Sequence, residues 1–291
     1  MSELALIIFS ICIQAAVGII VFVCLAKYLD KDGVFKTAVV VAAGLAVIGL
    51  LASLLHLGQP LRAVNSLAHF STSWLSREIW FTGAFTGVTV IAVILVLFKP
   101  IAKNAIQALV TLAAIIGLGD IYVMTAVYTS SSVPAWHSGG LFVEFYAATL
   151  TMGAVLFLAL GGAEGLKAHR PAVLTVGVAV ALQVVFMIGY YIQLGASTSQ
   201  AAGQSLSLMS SMSGVMMIKW LSILLGTGLL FFPVQKRSLN LGVSGEAAAE
   251  IAATGTVSAS IYFAALLLIT GQIIGRYLFY AIVVLSRVGL S

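Results

Sequence analysis

The chain has 291 residues, 61% of them hydrophobic and 8% charged, with a formal net charge of +5 and a mean hydropathy of +1.14. A soluble domain carries about 25% charged residues, so this composition excludes one and specifies a polytopic membrane protein. The basic excess is explained by its distribution about the membrane and does not imply a nucleic-acid partner.

A helix needs roughly 20 apolar residues to cross the hydrocarbon. Hydropathy predicts eight such runs, near 4–26, 38–57, 79–98, 105–127, 142–163, 172–194, 214–235 and 259–284. Connections mostly of 6 to 20 residues leave no room for a soluble domain, so residues 1–291 read as a single integral domain, an all-α bundle of eight transmembrane helices. The first run reads as a retained helix rather than a cleavable signal. It exceeds a signal core, no basic residue precedes it, and its only early charge is Glu3. Cys12 and Cys24 on that run lack metal-ligand spacing and read as small apolar wall residues.

The link between the second and third runs carries most of the polar chemistry. Residues 54–79 read LLHLGQPLRAVNSLAHFSTSWLSREI and place His56, Arg62, Arg77 and Glu78 beside hydrocarbon. Ionisable groups there are expensive, so they mark a candidate functional site, and His56 and Glu78 form its predicted pair.

Basic residues assign each link to a side. Lys27, Lys31, Lys36, Lys99, Lys103, Lys167, Arg170, Lys236 and Arg237 fall on one side, and Arg62, Arg77 and Arg287 on the other. Nine against three is a positive-inside asymmetry. It predicts that both termini and the His56–Glu78 link face outward, which in a bacterial inner membrane is the periplasm. On that orientation His56, Glu78, Asp120, Glu144, Lys219 and Arg276 all lie in the outer half. A transporter needs polar groups through the full depth, so the function reads as one-sided.

Cofactors internal to the protein are not expected. Of His56, His69, His137 and His169 only His56 touches a predicted helix, which argues against paired axial ligands for a haem. Two cysteines cannot hold an iron–sulfur cluster, and no metal motif is present. Any redox centre therefore belongs to a partner.

HLGQPLRAVNSLAHF followed by SWLSREI resembles the signature of the membrane-anchor subunit of the dimethyl sulfoxide reductase family. VPAW at 133–136 and Gly-Arg-x-x-Phe-Tyr at 275–280 resemble it as well. The resemblance implies eight helices without haem and a menaquinol-oxidising role. It also implies an iron–sulfur electron-transfer subunit and a molybdopterin catalytic subunit held on the outer face. It places the family's quinol-site histidine on His56 and its site glutamate on Glu78. The chemistry agrees: oxidation of a quinol to the quinone releases two electrons and two protons, so the site needs a hydrogen-bond partner for a ring oxygen and a carboxylate to take a proton.

Plainer roles are open for each residue. His56 fits a helix end whose carbonyls are freed by Pro60, and Glu78 fits a first turn capped by Ser76. Arg62 and Arg77 suit lipid headgroups or a partner as well as a quinone. Trp74, Trp80 and Trp136 suit the interfacial belt, with Trp136 also placed to wall a ring pocket alongside Arg276. Lys219 reads as snorkelling. Asp120 and Arg276, each about 10 Å from its outer helix end, read as an ion pair. Two alternative functions stand beside quinol oxidation: a purely structural anchor and a secondary transporter. The outward links near 128–141 and 195–213 carry no Lys or Arg and are expected to lie under a partner subunit.

Overall fold

The computed structural model describes residues 2–31, 33–55, 67–161, 166–240 and 259–284. Its described regular structure is helical: α1 (Ser2–Leu29), α2 (Lys36–Leu55), α3 (Trp74–Phe98), α4 (Lys103–Thr129), α5 (Gly140–Leu160), α6 (Leu166–Ala196), α7 (Gln200–Ser211), α8 (Ser213–Asn240) and α9 (Ala259–Ala281), with 3-10 turns at Leu67–His69 and Pro134–Trp136. All except α7 are long and apolar enough to cross a membrane, which gives eight candidate spans. The hydropathy reading thus holds for the span count. The ninth helix, α7, lies in the predicted link 195–213, where Ala201, Ala202, Ser205 and Met209 form its buried side.

The structure corrects two helix starts. α3 begins five residues earlier than hydropathy suggests, because Ser73 is the N-cap and its hydroxyl accepts from the Ser76 amide at 3.3 Å. Ser76 is therefore a helical residue rather than the cap, and Glu78 sits in the second turn. α6 begins at Leu166 rather than near 172, which takes in Pro171. The proline lies inside the helix, near enough to the start that its missing N–H costs one early bond.

α1 organises the bundle, packing against α2, α4, α5 and α9, while α3 pairs with α4, α5 with α6, and α8 with α9. Lipid supplies no hydrophobic drive between helices, so close backbone approach at small residues matters more than in water. The tightest approach joins α1 to α5. A Cβ on Gly18 would lie 2.1 Å from the Thr149 carbonyl oxygen, and one on Gly153 would lie 2.2 Å from Gly18 Cα. Gly226 and Gly271 play the same part between α8 and α9, where an added Cβ would meet the Ala264 and Lys219 carbonyls at 3.1 Å each. Around these contacts Ile13, Val17, Ile20, Phe22, Phe85, Phe145 and Phe157 fill the shared core.

Candidate functional site

The polar side chains collect at the end of the bundle where α3, α5 and α8 begin and α4 and α9 finish. On α3, Glu78, Thr82 and Thr86 recur at i, i+4 and i+8, one face of a helix, and all three are buried. That face meets α4 at Asp120, which is fully buried. Thr82 Oγ1 lies 2.9 and 3.0 Å from the two carboxylate oxygens of Asp120 and donates its hydroxyl proton to them. Glu78 and Asp120 are close enough to interact electrostatically. Among the described residues neither carboxylate has an ion-pair partner.

Arg77, next to Glu78 in sequence, points elsewhere. Its guanidinium donates to the Phe70 and Ser71 carbonyls at 2.9 and 2.7 Å and lies 4.2 Å from the Trp74 ring centroid. It fastens the turn leading into α3.

Beyond the Glu78 face stands an aromatic block. Tyr128 and Tyr280 share a hydroxyl–hydroxyl hydrogen bond of 2.6 Å, and Glu78 interacts electrostatically with both. Trp136 stacks on Phe279 with centroids 4.8 Å apart and donates its indole N–H to the Phe279 carbonyl at 3.2 Å. The VPAW turn is thereby locked to α9. It is also tied to α6, because Tyr190 donates to the Ala135 carbonyl at 2.9 Å and Ser138 to Gln193 at 3.0 Å.

Arg276 is buried in this block without a carboxylate partner among the described residues. One terminal nitrogen donates to Gln14 Oε1 at 2.8 Å, and the guanidinium lies 3.8 Å from the Phe145 ring centroid, a cation–π contact. The expected Asp120–Arg276 ion pair is therefore not formed: Asp120 is held by Thr82 and Arg276 by Gln14. Nor does Lys219 snorkel. It is buried, and its ammonium lies 2.7 Å from Glu144 Oε1. Gly275 makes this reach possible, because a Cβ there would fall 2.9 Å from Lys219 Cε.

Glu144, Lys219 and Arg276 line a cleft among α5, α6, α8 and α9 whose empty volume, mouth included, is about 780 Å³. Its floor also holds Gln183 and Gln272, whose amides bond each other at 3.2 and 3.3 Å. None of its lining residues comes from α1 to α4.

Of the predicted site residues, the structure buries Glu78 and Arg276, and both interact with the tyrosine pair of the aromatic block. It uses Arg77 and Trp136 to fix turns. His56 and Arg62 lie outside the described residues. The sequence reading missed three features: the Thr82–Asp120 bond, the Lys219–Glu144 pair and the tyrosine pair. A threonine one turn after Glu78 was the available signal for the first. The second carried none beyond a lysine in an apolar run.

The protein matches the family model of the DMSO reductase anchor subunit (DmsC) over residues 1–282. It is similar to the anaerobic dimethyl sulfoxide reductase C subunit of Haemophilus influenzae, at 29% identity over 96% of the present sequence and 94% of that relative. It is also similar to two anaerobic dimethyl sulfoxide reductase subunits of Escherichia coli. YnfH is 26% identical over 96% of the present sequence and 94% of its own, and the C subunit is 28% identical over 81% and 77%.

Proposed function

From the premise that this protein belongs to the DMSO reductase anchor subunit family, the multi-pass membrane anchor of an oxidoreductase complex, we propose that it also oxidises menaquinol. The electrons would pass to an iron–sulfur subunit and on to a molybdopterin catalytic subunit, in anaerobic respiration at a bacterial inner membrane. The observation that carries this reading is the Glu78, Thr82 and Asp120 group at the start of α3. Two carboxylates are buried side by side there, and no cation pairs with either among the described residues.

Ionising both carboxylates in a low-dielectric site is costly, so the pair is suited to hold and hand on a proton. A quinol gives up its two hydroxyl protons as its two electrons leave. Glu78 takes a proton at its carboxylate, while His56, as the resemblance assigns it, bonds a ring oxygen. Thr82 positions Asp120 by donating to it, leaving Glu78 as the carboxylate free to accept. Arg62 is assigned to the same quinone site from sequence, whereas the carbonyl contacts of Arg77 and the stacking of Trp136 favour positioning roles for those two.

The anchor's own contribution is thus to bind the quinol, orient it and move its protons. On the positive-inside orientation those protons leave to the periplasm, on the side where the partner subunits sit. Replacing Glu78 with Gln in the assembled complex, with menaquinol and an artificial reductant assayed in parallel, tests the reading. Loss confined to the menaquinol-dependent rate supports it, and an unchanged rate refutes it.

A further inference from the structure

We propose that the cleft among α5, α6, α8 and α9 is a second binding site for an uncharged quinone-class ring, separate from the Glu78 group. Its lining joins residues of four spans, from Glu144 on α5 to Phe279 on α9, around one recess. Its make-up, with apolar walls over a few converging polar groups, is that of a ligand site rather than of a packing fault.

The polar floor specifies the chemistry of the occupant. Arg276 is 4% exposed, and its Nε is one of two buried side-chain polar atoms without a hydrogen-bond partner among the described residues. Leaving a buried donor unpaired costs about 1 to 3 kcal/mol, so the site is matched to a ligand that brings an acceptor. Lys219 is a second donor: an ammonium has three protons, and Glu144 engages this one at a single oxygen. Glu144 is the acceptor of the set. An oxidised quinone ring offers two carbonyl acceptors for the cations, and a reduced ring adds a hydroxyl proton for Glu144. A lipid phosphate or a fatty-acid carboxylate could satisfy the cations but has no proton to give Glu144.

The walls agree with a flat ring. Phe186, Met187, Met216 and Phe279 line the cleft, and aromatic and thioether side chains make close contacts with aromatic faces. Phe186 is 43% exposed on α6. The occupant is bound here and undergoes no electron transfer in this proposal.

The test is photolabelling of the whole complex in nanodiscs with an azido-naphthoquinone, the labelled peptides being mapped by mass spectrometry. Label is expected on peptides spanning 183–187 and 209–219, competed away by unlabelled naphthoquinone. Met216→Trp, which fills the cleft, should lower this labelling at least tenfold. Phe186→Ala trims a wall side chain that is 43% exposed, and should lower it several-fold. Glu78→Gln should leave it unchanged even where it abolishes quinol oxidation, so failure at either site is read separately. Labelling confined to α3 and the link before it, labelling insensitive to both cleft variants, or label displaced by added phosphatidylglycerol and not by naphthoquinone would each overturn the proposal.

Discussion

Lys219 on α8 and Glu144 on α5 meet at 2.7 Å across 75 positions of sequence. The lysine side chain is 3% exposed and the glutamate 23%, so the pair is largely shielded from solvent and ties the two helices together at the cleft floor. Removing one partner from a buried pair leaves a charge without compensation, which costs about 3 to 5 kcal/mol.

Lys219→Met is therefore expected to destabilise the bundle by about 3 kcal/mol, the low end of that range because Glu144 is partly exposed. The Lys219→Met, Glu144→Gln double variant should recover most of the loss. Reversible unfolding in mixed micelles measures both, and a double variant no more stable than the single one would show that the ion pair is not the source of the effect.

Proton-transfer groups typically contribute 10²- to 10⁴-fold to a rate. Glu78→Gln is expected to lower menaquinol-dependent acceptor reduction about 10²-fold, and Asp120→Asn to lower it less. Acceptor reduction by an artificial donor to the partner subunits should be unaffected in both. Thr82→Val removes the hydroxyl that donates to Asp120 and should resemble the Asp120 variant. Steady-state kinetics with the two donors separates these outcomes.

Gly18→Ala and Gly153→Ala place a methyl group against backbone of the opposing helix, at 2.1 and 2.2 Å respectively, where no rotamer change relieves the clash. Each is expected to cost about 1 to 3 kcal/mol or more and to loosen α1 from α5. Gly87 on α3 has open space around it, so Gly87→Ala should be neutral. Thermal unfolding of the three variants in one detergent gives the comparison, and equal losses at all three would contradict a contact-specific effect.

Sidedness makes an energetic prediction. On the proposed positive-inside orientation, the inner halves of the predicted spans at 38–57, 105–127, 172–194 and 259–284 contain no Asp, Glu, His, Lys or Arg, so no series of titratable groups on them would lead to the cytoplasmic face. Turnover should be electroneutral. Proteoliposomes holding the complex are expected to reduce acceptor with menaquinol without building a membrane potential, as followed by a voltage-sensitive dye. A dye response that grows with turnover and collapses with an uncoupler would refute the one-sided assignment.

The sequence alone determined that the protein has eight helices long and apolar enough to span a membrane and that its ionisable residues are few. Both follow from the cost of bringing charge and unpaired backbone into hydrocarbon. The same cost singled out Glu78, and the structure buries it. What the sequence could not decide was which polar groups meet. Asp120 and Arg276 looked paired because they share a depth, yet Asp120 takes Thr82 and Arg276 takes Gln14. Lys219 looked free to snorkel, yet it reaches Glu144 past Gly275. Depth is written in one dimension along each helix, and apolar residues on nearly every face leave little periodicity to report its rotation. Rotation and register are set by where backbones approach, at Gly18 with Gly153 and at Gly226 and Gly271. Only the packed bundle shows which side chains those approaches bring together.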